Sequence, residues 1–283
     1  MKISDILAKS RYQLEKSGVS SSKLDSLILL AHALSFSKEQ IIFNPDLELN
    51  ENQQNNFFQL IDQRCKRQPV SQIIGRREFF GREFLVTSDV LDPRPDSESL
   101  IGLITEKFLN QNQKLNILEI GSGSGCLIIT TLLIYKESIG TALDISQKAL
   151  KICNKNAQTH KVTERLKLTE SDIFTQLVQD KKFDLIISNP PYIPSSDIDN
   201  LEAEVKFFEP RIALDGGFDG LDFYRRIARE ASIFLSKNGR IILEIGYGQK
   251  DEIIEIFSEE FLFEEAKKDL ASVDRALSFR KKF

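Results

Sequence analysis

The sequence predicts an α/β protein: a mostly parallel sheet of alternating strands and helices, preceded by a small helical bundle and a linking β-hairpin. Three observations predict it. From Leu115 onward, short apolar runs alternate with segments of helical period. Before Ile73, apolar residues recur at helical spacing alone. Between the two stretches the period shifts to two around glycines, and a proline-rich segment then breaks regular structure.

In the front part, Ile3, Ile6, Leu7, Tyr12 and Leu14 fall near helical spacing. Leu24, Leu27, Ile28, Leu30, Ala31 and Leu34 form a stronger stripe, with N-cap candidates at Ser20, Ser21 and Ser22. Asn44-Pro45-Asp46 marks a turn, and Phe57, Phe58, Leu60 and Ile61 mark a further helix ending near Arg67. These stripes read as the core of a bundle. Ile73-Ile74-Gly75 and Phe79 to Val86 read as two short strands around a glycine turn, and Leu91-Asp92-Pro93-Arg94-Pro95-Asp96 ends the hairpin. The expected domains are a helical one over 1–73, a hairpin linker over 74–90 and the α/β domain over 91–283.

Within that last domain, Asn116–Ile120, Thr141–Leu143, Leu166–Leu168, Phe183–Ser188 and Arg240–Ile245 read as strands. Helices are expected near 125–136, at Gln147–Ala157 and at Phe223–Phe234. Phe261–Phe263 and Arg275–Phe279 could close the sheet. The strand Phe183–Ser188 is mostly apolar, as a strand covered on both faces is. Such alternation implies right-handed crossovers, with ligands bound beyond the carboxyl ends of the strands.

Bulk properties remove several function classes. A chain of 283 residues with 41% hydrophobic and 28% charged residues can bury a sizeable core. No apolar run reaches the roughly 18 residues that span a bilayer, and the start of the chain lacks a signal-peptide core, so no membrane role and a cytoplasmic location are expected. Cys65, Cys126 and Cys153 are widely separated and do not suggest a disulfide framework. His32 and His160 have no partner at metal-ligand spacing, so no metal is expected, and His32 reads as a packed helix residue. The net charge of -4 argues against a dedicated duplex-DNA binder. Arg64, Lys66, Arg67, Arg76, Arg77 and Arg82 make a locally basic stretch, which reads as a solvated face, with a docking surface for an acidic partner as the alternative.

Two strand ends carry the chemistry. The first predicted strand runs into Gly121-Ser122-Gly123-Ser124-Gly125, where glycine permits a tight turn and lets backbone N–H groups approach a ligand. Asp144 ends the second strand, where a carboxylate can accept hydrogen bonds from both hydroxyls of a ribose. The dinucleotide fingerprint is incomplete, because Cys126 stands at its last glycine, and no Gly-Lys-Ser/Thr of a P-loop follows. The fourth strand delivers Ser188-Asn189-Pro190-Pro191-Tyr192. An amide or aromatic amine nitrogen is a poor nucleophile, because its lone pair is delocalised. The Asn189 side-chain carbonyl and the Pro190 backbone carbonyl could hold both of its hydrogens. The prolines fix the direction of that backbone, and the Tyr192 ring could pack on the planar group.

The G-x-G-x-G loop followed by Asp144 resembles motif I of class I S-adenosylmethionine methyltransferases, whose fold is Rossmann-like with a seven-stranded, mostly parallel sheet. That resemblance implies that the glycine loop cradles the methionine end of the cofactor and that Asp144 holds the ribose. Glu119 matches the acidic position before the loop. Asp172 and Ile173 resemble the pair that flanks the adenine and lie at the right strand end, which favours that role over a helix N-cap for Asp172. Asn-Pro-Pro-Tyr by itself fits several amino-methyltransferases, including N6-adenine and N2-guanine enzymes acting on DNA or RNA. A binding module that has kept the fold and lost the chemistry is a further alternative, against which the intact Asn189, Asp144 and glycine loop stand.

Further runs resemble the HemK/PrmC family of protein-(glutamine-N5) methyltransferases over nearly the whole chain. They are Leu24 to His32, Gly75-Arg76-Arg77-Glu78-Phe79-Phe80-Gly81, Pro93 to Glu98, Phe208 to Gly217, Gly220 to Tyr224, Leu243 to Gln249 and Lys268 to Leu270. Two positions depart from the family pattern: Asp92 replaces an aliphatic residue, and no glycine lies between Leu270 and Asp274. The resemblance implies methyl transfer from S-adenosylmethionine, with S-adenosylhomocysteine as product, to the glutamine of a Gly-Gly-Gln motif. Its implied partners are class I peptide-chain release factors, with no direct nucleic-acid substrate and a helical domain that recognises the protein.

Overall fold

The computed structural model describes residues 1–282. It divides into two compact units, one of residues 1–76 and 202–208 and one of residues 77–201 and 209–282.

The first unit begins with helices α1 (Ile3–Lys16), α2 (Ser22–Leu34), α3 (Lys38–Phe43), α4 (Glu51–Cys65) and α5 (Val70–Ile74). Capping boxes start α3 and α4: Ser37 pairs with Gln40, and Asn50 with Gln53. Ile3, Ile6, Leu14, Leu29, Leu30, Phe57 and Ile61 are withdrawn from solvent and form the core. Tyr12 and Leu24, expected in the apolar stripes, are exposed. The packed face of α2 is turned so that Asp25 and Ser26 point inward. Asp25 there meets Arg64 of α4, with Nε 2.7 Å from Oδ2. Arg64 Nη1 also lies 2.9 Å from Glu204, which binds Arg67 as well. Glu204 comes from much later in the chain. Arg64 is 6% exposed, so at this residue the expected solvated basic face is instead an internal ion network. His32 lies near the end of α2 as an exposed residue rather than a packed one.

Of the hairpin, β1 spans Arg76–Phe79 and β2 Arg82–Leu85. The expected first strand, Ile73-Ile74, is instead the end of α5. Gly75 caps that helix in the left-handed conformation, and the hairpin turn falls at Phe80-Gly81. The proline-rich segment ends in a short turn at Pro95–Ser97, which leads into α6 (Glu98–Lys107), a helix the periodicity reading did not include. Asp92 is buried, 3.9 Å from Arg94 and 4.0 Å from Arg77, so an acid fits where the family pattern has an aliphatic side chain.

The second unit continues with β3 (Asn116–Ile120), α7 (Cys126–Ile134), β4 (Ile139–Asp144), α8 (Gln147–Thr159), β5 (Leu166–Glu170) and β6 (Phe183–Ser188). Helix α9 (Ala203–Phe208) carries Glu204 and belongs to the first unit. Then follow α10 (Asp222–Phe234), β7 (Leu235–Glu244), α11 (Lys250–Phe257), β8 (Phe261–Lys268) and β9 (Asp274–Lys281). The sheet has seven strands in the order β5-β4-β3-β6-β7-β9-β8. β5, β4, β3, β6 and β7 pair parallel; β9 pairs antiparallel with both β7 and β8. Two apolar cores account for the apolar character of the central strands. One contains Ile117, Ile128, Leu185 and Ile187, the other Leu118, Tyr224, Ile186 and Ile241. Strand order reverses beside β3, which makes the β3–β6 junction the switch point where parallel sheets open a crevice. No described helix is long and apolar enough to cross a membrane.

Candidate active site

Register brings the two loops together. Ile120 of β3 pairs with Ser188 of β6, so Gly121 and Asn189 each leave the sheet one residue past the same rung. Ser188 Oγ donates to Ile120 O at 2.8 Å and ties the strand ends to each other. Both loops line one cleft of about 240 Å³ with Arg94, Asp144 and Ile145.

At the glycine loop, Gly121, Gly123 and Gly125 all have positive φ. Above Gly121 and Gly123 the space a side chain would fill is open, whereas a Cβ at Gly125 would come within 2.5 Å of Cys153 Sγ. The first two glycines therefore leave room for a ligand, and the third admits helix α8. Asp144 braces the loop: Oδ2 accepts from Gly123 N at 2.8 Å and Oδ1 from Ser146 N at 2.9 Å. Burial raises its carboxyl above the ordinary range, and these two bonds oppose the rise. Glu119 is buried beneath the loop and accepts from Ile128 N at 3.2 Å, so it satisfies a donor in the first turn of α7. Desolvation pushes it well above the usual carboxylate range.

Beyond β5, Asp172 does not cap a helix. Its carboxylate lies 2.8 Å from Arg226 of α10. Ile173 is buried with φ 52°, a backbone region that β-branched residues rarely adopt, and Ser171 Oγ donates to its carbonyl at 2.9 Å. Both residues line the cleft.

The Asn189–Tyr192 loop is held from several sides. Asn189 Nδ2 donates to Ser97 Oγ at 3.3 Å. Ser97 Oγ in turn donates to Glu244 Oε2 in a short hydrogen bond. Ile193 N donates to Leu214 O at 3.0 Å, and Gly216 N to Ile193 O at 2.8 Å. A side chain at Gly216 would come within 2.8 Å of the Pro191 carbonyl, so glycine is what lets this segment lie against the prolines. Gln249 Nε2 donates to Tyr192 O at 3.0 Å, and its Oε1 accepts from Gly246 N at 3.0 Å. Burial, with Glu244 close by, pushes the Tyr192 phenol up. Among the described residues, no group of three His, Cys, Asp or Glu side chains is placed to hold a metal ion.

Every site residue read from the sequence therefore lines this cleft or, at Gly125 and Tyr192, shapes a loop that does. From the sequence, Ser97, Glu244 and Gln249 stand out only as members of runs that resemble the family, without a role in the site, and Ile145 does not stand out at all. Glu244 carried a signal, being an acid at the carboxyl end of the otherwise apolar run Ile241-Ile242-Leu243.

Comparisons with known proteins agree with this architecture. Residues 5–75 match the PrmC N-terminal domain and residues 97–209 the Methyltransferase small domain. The release factor glutamine methyltransferase of Clostridium botulinum is 36% identical over 284 residues, which cover 99% of this chain and 100% of that protein. The chain belongs to the release factor glutamine methyltransferase family. A bifunctional methyltransferase of Rickettsia bellii is 36% identical over 301 residues, but the match covers 97% of this chain and only 54% of that longer protein. The chain thus spans about half the length of such bifunctional relatives. A Thermus thermophilus 16S rRNA methyltransferase in complex with AdoMet and guanosine superposes with a TM-score of 0.51 at 15% identity, covering 73% of this chain and 50% of that one. That likeness concerns the fold alone.

Proposed function

We propose that this chain transfers a methyl group from S-adenosylmethionine to the side-chain amide nitrogen of the glutamine in the Gly-Gly-Gln motif of class I release factors. One observation carries the reading: a loop offering two carbonyl acceptors opens into the same cleft as a glycine loop with an acid at the next strand end. Bound there, the cofactor would supply an electrophilic methyl on a sulfonium. The open space over Gly121 and Gly123 suits its amino-acid end, and Asp144 retains lone pairs for ribose hydroxyls. Glu119 serves from below, by holding the start of α7. Asp172 and Ile173 would bound the adenine pocket, with Ile145 as a further apolar wall.

The chain's own residues then orient the amide. Asn189 directs its NH2 at Ser97, which leaves its carbonyl oxygen for one hydrogen of the substrate nitrogen. Pro190 O accepts the other, and Tyr192 packs against the planar group. Holding both hydrogens aims the nitrogen lone pair at the methyl carbon. Position and fixed dipoles therefore carry the rate, and no strong base is required. As the N–C bond forms the methyl–sulfur bond would break, leaving a neutral thioether, and the now cationic nitrogen would lose its proton to water. The helical unit, with the release-factor family's N-terminal domain signature, is assigned to gripping the protein substrate. Its Arg64 and Arg67 are engaged with Asp25 and Glu204, which speaks against their serving as the docking surface.

The test offers methyl-labelled S-adenosylmethionine with release factor, with a Gln-to-Ala release factor, and with tRNA or DNA. Label is expected in the first alone. Label surviving the Gln-to-Ala change rejects the substrate, and label in nucleic acid favours an N6-adenine or N2-guanine activity.

A further inference from the structure

We infer that Ser97 and Glu244 determine which end of the Asn189 side-chain amide faces the reacting nitrogen. The inference rests on the methyl-transfer reading above and adds two positioning residues to it. The two ends of a carboxamide differ little in size, so packing alone does not choose between them. Hydrogen-bond polarity does. Ser97 is 3% exposed, and its hydroxyl has a single proton. An ionised Glu244 only accepts, so that proton is committed to Oε2. Ser97 Oγ is left with lone pairs alone. Only the NH2 end of Asn189 can face it, as the 3.3 Å contact has it, which leaves Oδ1 free for the cleft that Asn189 lines.

Protonation of Glu244 reverses this chain. A neutral carboxyl can donate to Ser97, which can then donate to Asn189 Oδ1. The amide flips, and its NH2 then meets the NH2 of the substrate, donor against donor. Binding would survive such a flip better than turnover, because only the alignment of the nitrogen is lost.

The surroundings put this change in the neutral range. Glu244 is 1% exposed at the end of β7, and burial pushes its carboxyl up to about 7. The Ser97 hydrogen bond and the positive charges of Arg275 on β9 and Arg94 before α6 pull it down, while Asp96 pushes it further up. Cys126 of α7, Tyr192 of the catalytic loop and Tyr224 of α10 also face it, and burial raises all three. Those three groups are therefore uncharged at neutral pH. Tyr224 additionally donates to the Glu244 backbone carbonyl at 2.8 Å and fixes the strand end.

The experiment measures kcat with release factor from pH 5.5 to 9 on the full chain, together with S-adenosylmethionine affinity by calorimetry. Ser97→Ala should lower kcat about tenfold, the equivalent of one hydrogen bond, while cofactor affinity stays at the wild-type value. Ser97→Thr, which keeps the hydroxyl, should recover most of the loss. The wild type should show an acid limb near pH 7, which Glu244→Gln should flatten. The inference is overturned by a Ser97→Ala variant as fast as wild type, by a Thr variant as slow as the Ala one, or by the same acid limb in wild type and Glu244→Gln. A wild-type chain that methylates no release factor overturns the functional reading and the inference with it; a wild-type chain that does so, beside an equally fast Ser97→Ala, overturns the inference alone.

Discussion

The two ends of the cleft are built by different means. At the glycine loop, the groups lining the cleft come from neighbouring strands: Gly121 to Ser124 follow β3, and Asp144 ends β4 next to it, with its carboxylate bonded to Gly123 N and Ser146 N. At the Asn189 loop, orientation depends on side chains from three distant stretches, because Ser97, Asn189 and Glu244 meet only in the folded sheet. A binding site can thus be written into a short motif and its strand neighbour. A reacting geometry that must distinguish oxygen from nitrogen on one amide needs a chain of donors and acceptors with a defined direction.

The sharpest way to break that contrast is to remove one element from each end. Asn189→Ala deletes an acceptor of the reactive NH2 and should cost on the order of 10²–10³ in kcat, as loss of a preorganised transition-state hydrogen-bonding group does. Its cofactor affinity should match wild type, as read by calorimetry; unchanged turnover would contradict the role given to Asn189. Asp144→Ala should do the reverse. It removes the proposed ribose acceptor and also frees two backbone donors of the loop, so affinity for S-adenosylmethionine should weaken by roughly 30- to 100-fold. Turnover at saturating cofactor should change by less than about threefold. A wild-type dissociation constant would refute the assignment, and a kcat loss as large as that of Asn189→Ala would show that the two ends are not separable.

The same contrast explains what was legible beforehand. β3 and β6 fall on the residues expected, because strands covered on both faces are rich in apolar residues and their ends are marked by Gly121 and Pro190. Ile73-Ile74 was misplaced because a short apolar pair beside a glycine suits a strand and a helix end equally well, and only the left-handed Gly75 decides. Helix α6 escaped notice because Pro93 and Pro95 dominate the segment before it. Both motif loops could be placed beforehand at neighbouring strand ends, where they line one cleft, because their residue types are local in sequence. Arg64 was misread because its counter-charges, Asp25 and Glu204, are remote in sequence; a run of cations looks solvated until its partners are seen. Ser97 and Glu244 were invisible as a pair for the same reason.

The smallest expected effect concerns what that buried acid does to stability. A Glu whose folded carboxyl lies near 7, against 4.5 ordinarily, is bound by the fold in its protonated form. Its contribution to stability is therefore fully present below about pH 4.5 and is lost as pH rises through about 7, for a total of about 3 kcal/mol. Glu244→Gln is uncharged at every pH and should escape that loss, although its NH2 lacks the partners a carboxylate would have found, which returns about 1–2 kcal/mol. The variant should then unfold at a temperature a few degrees above wild type at pH 8 and at or slightly below it at pH 5, measured by calorimetry without cofactor. Equal midpoints at pH 8 would mean that Glu244 is ionised in the fold without strain. In that case the acid holds its charge through Arg94 and Arg275 at all working pH values, and the direction of the Asn189 amide would not respond to pH.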